Sequence, residues 1–363
     1  MANITRDQVD AILKEIADPY IGKDLVSSKA IKDIKIQGDE VHVDVVLGYP
    51  AQGYKDELAS SIAKAVENSQ GMPKAQVDVS WKIQAHVVQK NLKPMQNIKN
   101  VIAVASGKGG VGKSTTAVNL ALALSAEGAT VGILDADIYG PSQPRMLGIS
   151  GQPESIDGKS LEPMENHGVQ AMSIGFLIEE ETPMIWRGPM VTQALEQLLN
   201  DTRWRDLDYL IVDLPPGTGD IQLTLAQKIP VSGAVIVTTP QDIALLDARK
   251  SLKMFEKVDV PVLGIVENMS THICTNCGHE EHIFGAGGAA RMSQDYSVDV
   301  LGSLPLDMRI REQADSGEPT VVADADGPVA QSYLDIARRT AAKLALKGKD
   351  FSGRIPKITI QNT

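Results

Sequence analysis

Apolar residues recur along the chain in two different patterns, and the change between them falls near residue 100. Before that point, short alternating segments such as Ile34-Ile36 and Val41-Val43-Val45 stand between stretches with helical spacing. Alternation with a period of two is typical of a half-buried strand, and spacing of three to four residues is typical of an amphipathic helix. Residues 5 to 83 therefore predict a small α+β unit.

Local signals define the elements of this unit. Thr5 and Gln8 predict a capping box, in which each side chain bonds the backbone of the other at the start of a helix. The apolar face of that helix consists of Val9, Ile12, Leu13 and Ile16. A second helix is predicted from about Tyr54 to Glu67, and a further strand at Val77-Val79-Trp81-Ile83.

No catalytic chemistry is visible in the first part of the chain. It contains no cysteine, and its two histidines, His42 and His86, are far apart and are interpreted as ordinary surface or strand residues. Residues 91–99, with a proline, two asparagines and no apolar periodicity, predict a linker. The predicted small domain therefore covers residues 1–90.

Longer apolar runs alternate with helical segments from residue 100 onward. Runs of this kind are typical of parallel strands that helices cover on both faces of a sheet. They lie at residues 101–105, 131–134, 209–212, 234–237 and 262–266. The fold class predicted for residues 100–347 is therefore α/β, with a doubly wound, mainly parallel sheet and a closing helix from Pro328 to about Lys347.

A polar tail is predicted at residues 348–363, and basic residues are frequent in it and in the helix before it. They are Arg338, Arg339, Lys343, Lys347, Lys349, Arg354 and Lys357. An amphipathic membrane anchor needs a bulky apolar face, which this segment lacks. We therefore interpret these side chains as a solvated face, in which some complement the dipole at the helix end.

Composition narrows the function classes. A chain of 363 residues fits two domains better than one small core. The net charge of −11 and an aromatic content of 4% argue against a nucleic-acid-binding protein, which uses basic surface and stacking platforms. No window approaches the ~18 apolar residues of a membrane span, and the first residues lack the apolar core of a secretory signal. These features predict a cytoplasmic protein without nucleic-acid or membrane partners.

A glycine-rich segment, GKGGVGKST at residues 107–115, directly follows the first apolar run of the larger domain. Glycines let successive N–H groups point at phosphate oxygens, and the positive end of the following helix dipole adds to the attraction. The segment therefore predicts a loop that binds a nucleoside triphosphate, in which Lys113 contacts the β- and γ-phosphates and Ser114 binds Mg²⁺. The predicted nucleotide-binding residues of the loop are Gly107, Lys108, Gly109, Gly110, Val111, Gly112, Lys113, Ser114 and Thr115.

A second lysine in the loop, Lys108, goes beyond what an ordinary phosphate-binding loop requires. Its position directly after the first glycine resembles the deviant Walker A motif of the MinD/ParA and nitrogenase iron-protein class. The resemblance implies a lysine that contacts phosphate across a dimer interface. A solvated loop lysine is the alternative interpretation.

Hydrolysis requires a further carboxylate on the Mg²⁺ side of the site. The apolar run at 209–212 ends in Asp213, which fits a Walker B aspartate that holds Mg²⁺ through a water molecule. The segment LPPGTGD that follows resembles a switch II loop, in which the backbone of Gly217 contacts the γ-phosphate.

Another apolar run, at 131–134, ends in Asp135-Ala136-Asp137 and continues as IYGPS, which resembles switch I of the same class. We predict that Asp137 orients the attacking water and that Asp135 supports Mg²⁺ or the loop, and an exchange of these two roles stays open. Asn268, just after the run at 262–266, matches the position where this class reads adenine. An ordinary turn asparagine is the alternative there.

The chain has two cysteines, Cys274 and Cys277, and they form a Cys-x-x-Cys pair in a predicted loop. A Cys₂His₂ zinc site is one interpretation, but His279 and His282 follow the pair more closely than in the usual finger. A thioredoxin-type redox pair would need its first cysteine at a helix N-terminus. Two reduced thiols without a function are a third interpretation, and an iron-sulfur cluster is the fourth.

The cluster interpretation raises the question of ligand number. A [4Fe-4S] cluster takes four thiolates, whereas one chain offers two. Two copies of the chain would supply four, and Lys108 independently suggests a nucleotide held between two copies. Both features call for a homodimer with two-fold symmetry. In such a dimer, ATP binding and hydrolysis would change the arrangement of the two cysteine pairs.

Taken in order, the motifs identify the chain as a member of a known family. Residues 100 to 320 resemble the Mrp/ApbC group of P-loop iron-sulfur cluster carriers, and residues 1–90 resemble the MIP18-like (DUF59) domain of iron-sulfur assembly factors. The motifs that carry the first resemblance are GKGGVGKST, ILDADIYGPS, WRGPM at residues 186–190, DLPPGTGD, TTPQDIALLDARK, GIVENMS and CTNCG. The resemblance implies ATP binding and hydrolysis, a labile [4Fe-4S] cluster between two protomers, and partners that are apo iron-sulfur proteins and a cluster scaffold or donor.

The sequence therefore predicts an ATPase that carries an iron-sulfur cluster. The predicted catalytic residues are Lys108, Lys113, Asp137 and Asp213; Ser114 and Asp213 bind Mg²⁺, and Cys274 and Cys277 bind the cluster. The alternatives are a ParA/MinD-like positioning ATPase and a zinc-stabilised, nucleotide-dependent binding module. Some members of the assembly-factor domain carry a cysteine, which residues 1–100 lack. Partner docking is therefore the expected role of the small domain.

Overall fold

The first part of the chain forms a three-stranded sheet with two helices. The structure, a computed structural model, describes residues 5–37, 40–69, 74–90, 92–178, 188–274 and 276–349. The elements of the first part are α1 (Arg6–Leu13), β1 (Ala17–Asp18), β2 (Lys23–Asp24), β3 (Ile31–Gln37), β4 (Glu40–Leu47), α2 (Lys55–Glu67) and β5 (Lys74–Trp81). Strands β3 and β4 are antiparallel, whereas α2 crosses over so that β5 lies parallel to β4. Both predicted helices and the alternating strands are confirmed.

The capping box at the first helix is also confirmed. The side chain of Gln8 accepts from the Thr5 amide at 2.9 Å, and the Thr5 hydroxyl accepts from the Gln8 amide at 3.4 Å. The prediction extended two elements too far, because Ile16 follows the end of α1 and Ile83 follows the end of β5. Ile83 is nevertheless buried, since the chain runs directly from β5 towards the larger sheet.

The larger part of the chain is built on an eight-stranded sheet with the strand order β15-β12-β11-β6-β10-β7-β9-β8. Its elements begin with β6 (Ile98–Ala105), α3 (Lys113–Ala126), β7 (Val131–Asp135), α4 (Gln143–Met146), β8 (Met164–Asn166), β9 (Val169–Ser173), α5 (Gly188–Asp201), β10 (Leu207–Asp213) and α6 (Asp220–Lys228). They continue with β11 (Gly233–Thr238), α7 (Asp242–Lys257), β12 (Val262–Glu267), β13 (His272–Ile273), β14 (Glu280–Glu281), α8 (Gly288–Tyr296), β15 (Val300–Ser303), α9 (Met308–Asp315), α10 (Thr320–Ala323) and α11 (Pro328–Ala345).

The predicted α/β fold class is confirmed. Each of the five apolar runs forms a strand, and the neighbouring strands of the large sheet are parallel except for β8 and β9. Strand β6 begins at Ile98, inside the segment assigned to the linker, because Ile98 pairs with Leu207 at the start of β10. Helix α11 ends at Ala345, two residues before the predicted end. The polar tail lies outside the described residues after Lys349.

The expectation that His86 is an ordinary surface or strand residue is wrong. His86 is buried, and its backbone amide and Nδ1 both contact Oδ1 of Asn100, at 3.1 and 2.9 Å. The amide group of Asn100 donates in turn to the carbonyl oxygens of Gln84 and Asp208. Burial lowers the pKa of His86, so the neutral imidazole is favoured. This network fixes the connection between the two sheets to strand β6.

Arg338 also contradicts the prediction, because it is buried rather than part of a solvated face. It lies on α11, and its guanidinium donates to Glu127 at 2.6 Å, to the Tyr20 hydroxyl at 2.9 Å and to Asp335 at 3.2 Å. Glu127 caps the end of α3 and accepts from the amide of Gly53 at 3.0 Å. A buried arginine and a buried glutamate therefore join both domains at the end of the helix that follows the glycine-rich loop.

None of the helices within the described residues combines the length and the apolar character that a membrane crossing requires.

We expect the buried ion pair to dominate the stability of the domain interface. Arg338→Met leaves the Glu127 carboxylate buried without its partner, and such changes cost about 3–5 kcal/mol. The double variant Arg338→Met/Glu127→Gln should recover a large part of this loss, because it removes the uncompensated charge. Urea unfolding followed by circular dichroism measures both changes.

An exposed pair provides the control for this comparison. Arg311 and Glu312 are 3.2 Å apart, and both side chains are more than half exposed. Arg311→Met should therefore change the free energy of unfolding by less than about 1 kcal/mol. Equal losses in Arg338→Met and Arg311→Met would contradict the assignment of the interface.

Candidate functional site

The carboxyl ends of the central strands bring the predicted site residues to one edge of the large sheet. The glycine-rich loop follows β6, and Asp135 and Asp213 end the two strands β7 and β10 beside it. These two aspartates are direct partners in the parallel register. The connection after β6 leads past β10 to β7, whereas the connection after β10 leads back past β6 to β11, and ligands of open α/β sheets bind at the crevice where the strand order reverses in this way.

The glycine-rich loop has the backbone geometry that its glycines permit. Gly110 and Gly112 adopt left-handed conformations, with φ of +80° and +82°. Gly112 is the N-cap of α3, so the 14-residue helix directs its N-terminus at the loop. A Cβ atom at Gly107 would lie 2.1 Å from the backbone of Asp247, so only glycine lets the loop pass this close to α7. The loop is therefore held between the N-terminus of α3 and the side of α7.

A buried ion pair joins the loop to the end of β10. The ammonium of Lys113 contacts the carboxylate of Asp213, and both side chains are buried. Lys113 also lies 3.1 Å from the hydroxyl of Ser114. The structure thus brings together the lysine, the hydroxyl and the carboxylate that the sequence assigns to phosphate and Mg²⁺. Ser114, an oxygen donor beside a carboxylate, fits the ligand preference of Mg²⁺.

Gln143 is a residue of this site that the sequence analysis missed. It is the first residue of α4, and its amide group donates to Asp213 at 2.9 Å and to the carbonyl oxygen of Ser114 at 3.1 Å. The side chain is buried. A lone glutamine after IYGPS belongs to no motif of catalytic chemistry, so its contacts become visible through the fold alone.

Asp135 and Asp137 occupy different surroundings. Asp135 is fully buried, and its carboxylate accepts from the amides of Asp137, Ser142 and Gln143 at 2.9 to 3.1 Å and from the hydroxyl of Ser173 at 3.2 Å. Burial raises the pKa of Asp135 to about 7, and the nearby carboxylate of Asp213 adds to this rise. These contacts hold the loop after β7 in place.

Asp137, in contrast, is only partly buried. Burial raises the pKa of its carboxyl group, and the positive charge of Lys113 opposes that rise. Asp137 therefore lies within electrostatic reach of the loop lysine, and its backbone amide is held by Asp135. The roles predicted for Asp135 and Asp137 stay predictions.

Lys108 and Gly217 contact protein groups in this structure. Nζ of Lys108 lies 3.4 Å from the side-chain oxygen of Gln241, just before α7. On the same part of α7, Ile243 and Leu246 are 70% and 55% exposed. The amide of Gly217 donates to the carbonyl oxygen of Ser106 at 2.9 Å, so it would have to leave this bond to contact a phosphate. The predicted phosphate contacts of both residues stay predictions.

Asn268 lies against the loop. Its side-chain amide donates to the carbonyl oxygen of Val111 at 2.9 Å, and a Cβ atom at Gly112 would approach that amide to 2.1 Å. The contact gives Asn268 a role in holding the loop, and its predicted contact with adenine stays a prediction. Met269, the next residue, has a φ of +56°, a left-handed conformation that is rare outside glycine.

The segment after β12 also holds the cysteine loop. The carbonyl oxygen of Ser270 accepts from Nδ1 of His282 at 2.9 Å, and the carboxylate of Glu267 accepts from the Ala289 amide at 2.7 Å, at the start of α8. The residues after β12 therefore contact the glycine-rich loop through Asn268 and the chain just after the cysteines through Ser270, while Glu267, the last residue of β12, holds the start of α8.

The two cysteines lie on a short hairpin formed by β13 and β14. The amide of Cys274 donates to the carbonyl oxygen of His279 at 2.9 Å, and the amide of Gly278 donates back to Cys274 at 2.8 Å. Amides of Asn276 and Cys277 hydrogen-bond the Cys274 sulfur and lower the pKa of its thiol. Cys277 is exposed and Cys274 is partly exposed. The hairpin therefore presents two thiols to solvent, and its amides stabilise the thiolate of Cys274 relative to a free cysteine.

The nearby histidines make other contacts. Nδ1 of His272 donates to the carbonyl oxygen of Leu306 at 3.1 Å, and Nδ1 of His282 is bonded to Ser270. Within the described part of the chain, no group of three or more histidine, cysteine, aspartate or glutamate side chains is arranged to hold a metal ion. Of the WRGPM motif, Trp186 and Arg187 lie outside the described residues.

The sheet, the glycine-rich loop and the two strand-end aspartates together define a nucleotide-binding protein of the P-loop NTPase class. A nucleotide-binding protein from Archaeoglobus fulgidus, solved in complex with ADP, is 38% identical with a TM-score of 0.56, over 65% of this chain and 91% of that one. Residues 97–341 match the family described as NUBPL iron-transfer P-loop NTPase, and residues 6–79 match a family described as iron-sulfur cluster assembly protein.

Two relatives share most of the chain. An iron-sulfur cluster carrier protein of Haemophilus influenzae is 50% identical over 357 residues, which cover 97% of this chain and 96% of that one. Another from Pseudomonas fragi is 60% identical over 275 residues, which cover 75% of this chain and 96% of that one. The chain therefore belongs to the NUBPL iron-transfer P-loop NTPase family, and the predicted family is confirmed.

The geometry of the loop predicts unequal effects for two of its glycines. Gly112→Ala forces a side chain into a left-handed conformation and against Asn268, and strain of this kind costs about 1–3 kcal/mol. For Gly109→Ala the nearest atom to the new Cβ is Cγ of Pro216 at 4.0 Å, so we expect a smaller loss. Urea unfolding without nucleotide measures both, and equal losses would contradict this geometry.

Proposed function

We propose that this protein is an ATP-hydrolysing iron-sulfur cluster carrier that works as a homodimer. The observation that carries the proposal is the cysteine hairpin: one exposed and one partly exposed thiol connect through one short segment to the nucleotide loop. The relatives named as iron-sulfur cluster carrier proteins support the proposal that the cargo is an iron-sulfur cluster. The recipients are apo iron-sulfur proteins, and a cluster scaffold or donor supplies the cargo.

Ligand count supports sharing of the cluster between two chains. A [4Fe-4S] cluster takes four thiolates, and each chain offers Cys274 and Cys277. Two of the three histidines near the pair, His272 and His282, are engaged with backbone carbonyls. A symmetric dimer would bring the same hairpin of each chain together and complete the set. The exposed apolar side chains of Ile273 and Ile283 on this hairpin suit a surface that another chain covers.

On the nucleotide side, we propose that ATP binds with its phosphates in the loop at 107–115. The backbone amides and the α3 N-terminus hold the phosphates, and Lys113 moves from Asp213 to the phosphate charge. Ser114 and Asp213 would hold Mg²⁺, which would supply positive charge to the phosphates. Asp137 orients the attacking water, while Asp135 keeps the loop of Asp137 in position.

We propose that Lys108 contacts the nucleotide of the partner protomer. Its present neighbour, Gln241, begins the part of α7 that carries the exposed side chains of Ile243 and Leu246. An apolar surface beside the nucleotide suits a seam between two chains. Binding of ATP at this seam would then act on Asn268 and, through the residues after it, on the hairpin that holds the cluster.

The cysteine pair supplies the first test of the proposal. Cys274→Ala and Cys277→Ala should each reduce iron and sulfide after anaerobic reconstitution to background, because half of the thiolate set is lost. Affinity for a fluorescent ADP analogue should stay unchanged, since the P-loop is intact. Iron, sulfide and zinc analysis of each purified variant measures the outcome.

His279→Ala is the matched control, because this residue lies on the same hairpin and its hydrogen bond with Cys274 is made by its backbone carbonyl. Its iron content should equal that of the unmodified protein. Full iron content in both cysteine variants would refute the ligand assignment. Zinc in place of iron would favour the zinc-stabilised binding module.

The nucleotide site supplies a second test that separates binding from hydrolysis. Lys113→Ala should weaken nucleotide binding and abolish hydrolysis, because it removes the phosphate contact. Asp137→Ala should keep nucleotide affinity and lower kcat by about 10²–10⁴-fold, the range typical of a positioned acid or base. Phosphate release and ADP-analogue titration measure the two quantities. Normal hydrolysis by Asp137→Ala would contradict its assigned role.

A further inference from the structure

We propose that Gln143 is a positioning residue for ATP hydrolysis, which fixes the Asp213 carboxylate and joins it to the loop that carries Asp137. The inference rests on the proposed ATPase function. Three contacts of Gln143 support it: its side-chain amide donates to Asp213 and to the Ser114 carbonyl, and its backbone amide donates to Asp135 at 3.0 Å. One residue thus touches the ends of β7 and β10 and the first turn of α3.

The orientation of Asp213 depends on this residue. One carboxylate oxygen contacts Lys113, and the other accepts from Gln143 at 2.9 Å. When Lys113 turns to a phosphate, the bond from Gln143 is the contact described here that remains to hold the carboxylate. An aspartate that supports Mg²⁺ must be held closely, because small displacements of catalytic groups cost large factors in rate.

The buried position of Gln143 makes the contact specific. The residue is 1% exposed, and its side-chain oxygen has no hydrogen-bond partner among the described residues. A buried carbonyl oxygen without a partner costs about 1–3 kcal/mol. The two hydrogen bonds of the NH₂ group, to Asp213 and to the Ser114 carbonyl, act against this cost and hold the side chain in place. An apolar side chain of similar length would fill the same space without donating.

Two substitutions separate the hydrogen bond from the volume. Gln143→Met keeps the length and removes the donor, whereas Gln143→Glu keeps the length and places a negative charge beside Asp213. Both should lower kcat about 10- to 100-fold, as expected for a misplaced catalytic group. We expect the KM for ATP to change much less than kcat. We also expect the Mg²⁺ concentration for half-maximal activity to rise, because Asp213 is no longer fixed.

Gln170→Met is the matched control. Gln170 is also buried, and both ends of its side chain bond the backbone of Arg205, at 3.0 and 3.2 Å, away from the nucleotide loop. Its replacement should lower stability without a specific change in kcat or Mg²⁺ dependence. Thermal unfolding without nucleotide, run on all variants, separates a loss of folding from a loss of positioning.

The outcomes separate this inference from the proposed function. If the unmodified protein hydrolyses ATP and Gln143→Met matches it in kcat and Mg²⁺ dependence, the inference is overturned and the proposed function stands. An equal fall of kcat in Gln170→Met would also overturn it. If the unmodified protein does not hydrolyse ATP, the proposed function fails. Binding of ADP with and without Mg²⁺ then tests whether Gln143 positions Asp213. If Mg²⁺ changes the affinity for ADP equally in Gln143→Met and in the unmodified protein, the positioning role of Gln143 is overturned.

Discussion

The contact between Lys113 and Asp213 is the interaction on which the nucleotide site depends. Both charges are buried at the edge of a sheet of apolar strands, where an unpaired charge would be costly. The pair is stable because α3 and β10 meet there and because Gln143 satisfies the second oxygen of Asp213. The same position requires the parallel register that sets Asp213 beside Asp135. The order and register of the strands therefore determine which charges meet at the site.

The site continues in two directions from this pair. Towards the cysteines, the residues after β12 contact the loop through Asn268 and the hairpin through Ser270. At the far end of α3, Glu127 bonds Arg338 and the small domain. The loop is thus joined to the hairpin by hydrogen bonds of the residues after β12 and, along α3, to the small domain by a buried ion pair. In the proposed carrier, these contacts are the route by which nucleotide binding would act on the bound cluster.

The apolar pattern predicted much of this structure, because buried parallel strands need continuous apolar runs whatever their partners are. The linker was predicted to include Ile98, because the pairing of Ile98 with Leu207 on β10 joins residues far apart in the sequence and leaves no local signal. Arg338 was assigned to solvent, because an arginine in a basic stretch gives no local sign of the buried Glu127 across the domain interface. His86 was misjudged for the same reason, as its partner Asn100 lies in the other domain.

Site residues with distinctive chemistry, such as the loop glycines and the cysteine pair, could be found from the sequence, whereas Gln143 could not. The most direct measurement of the central claim is the mass in solution of the anaerobically reconstituted protein, together with its iron and sulfide content. The account predicts a species of two chains that share one [4Fe-4S] cluster. A single chain that holds a full cluster would contradict it.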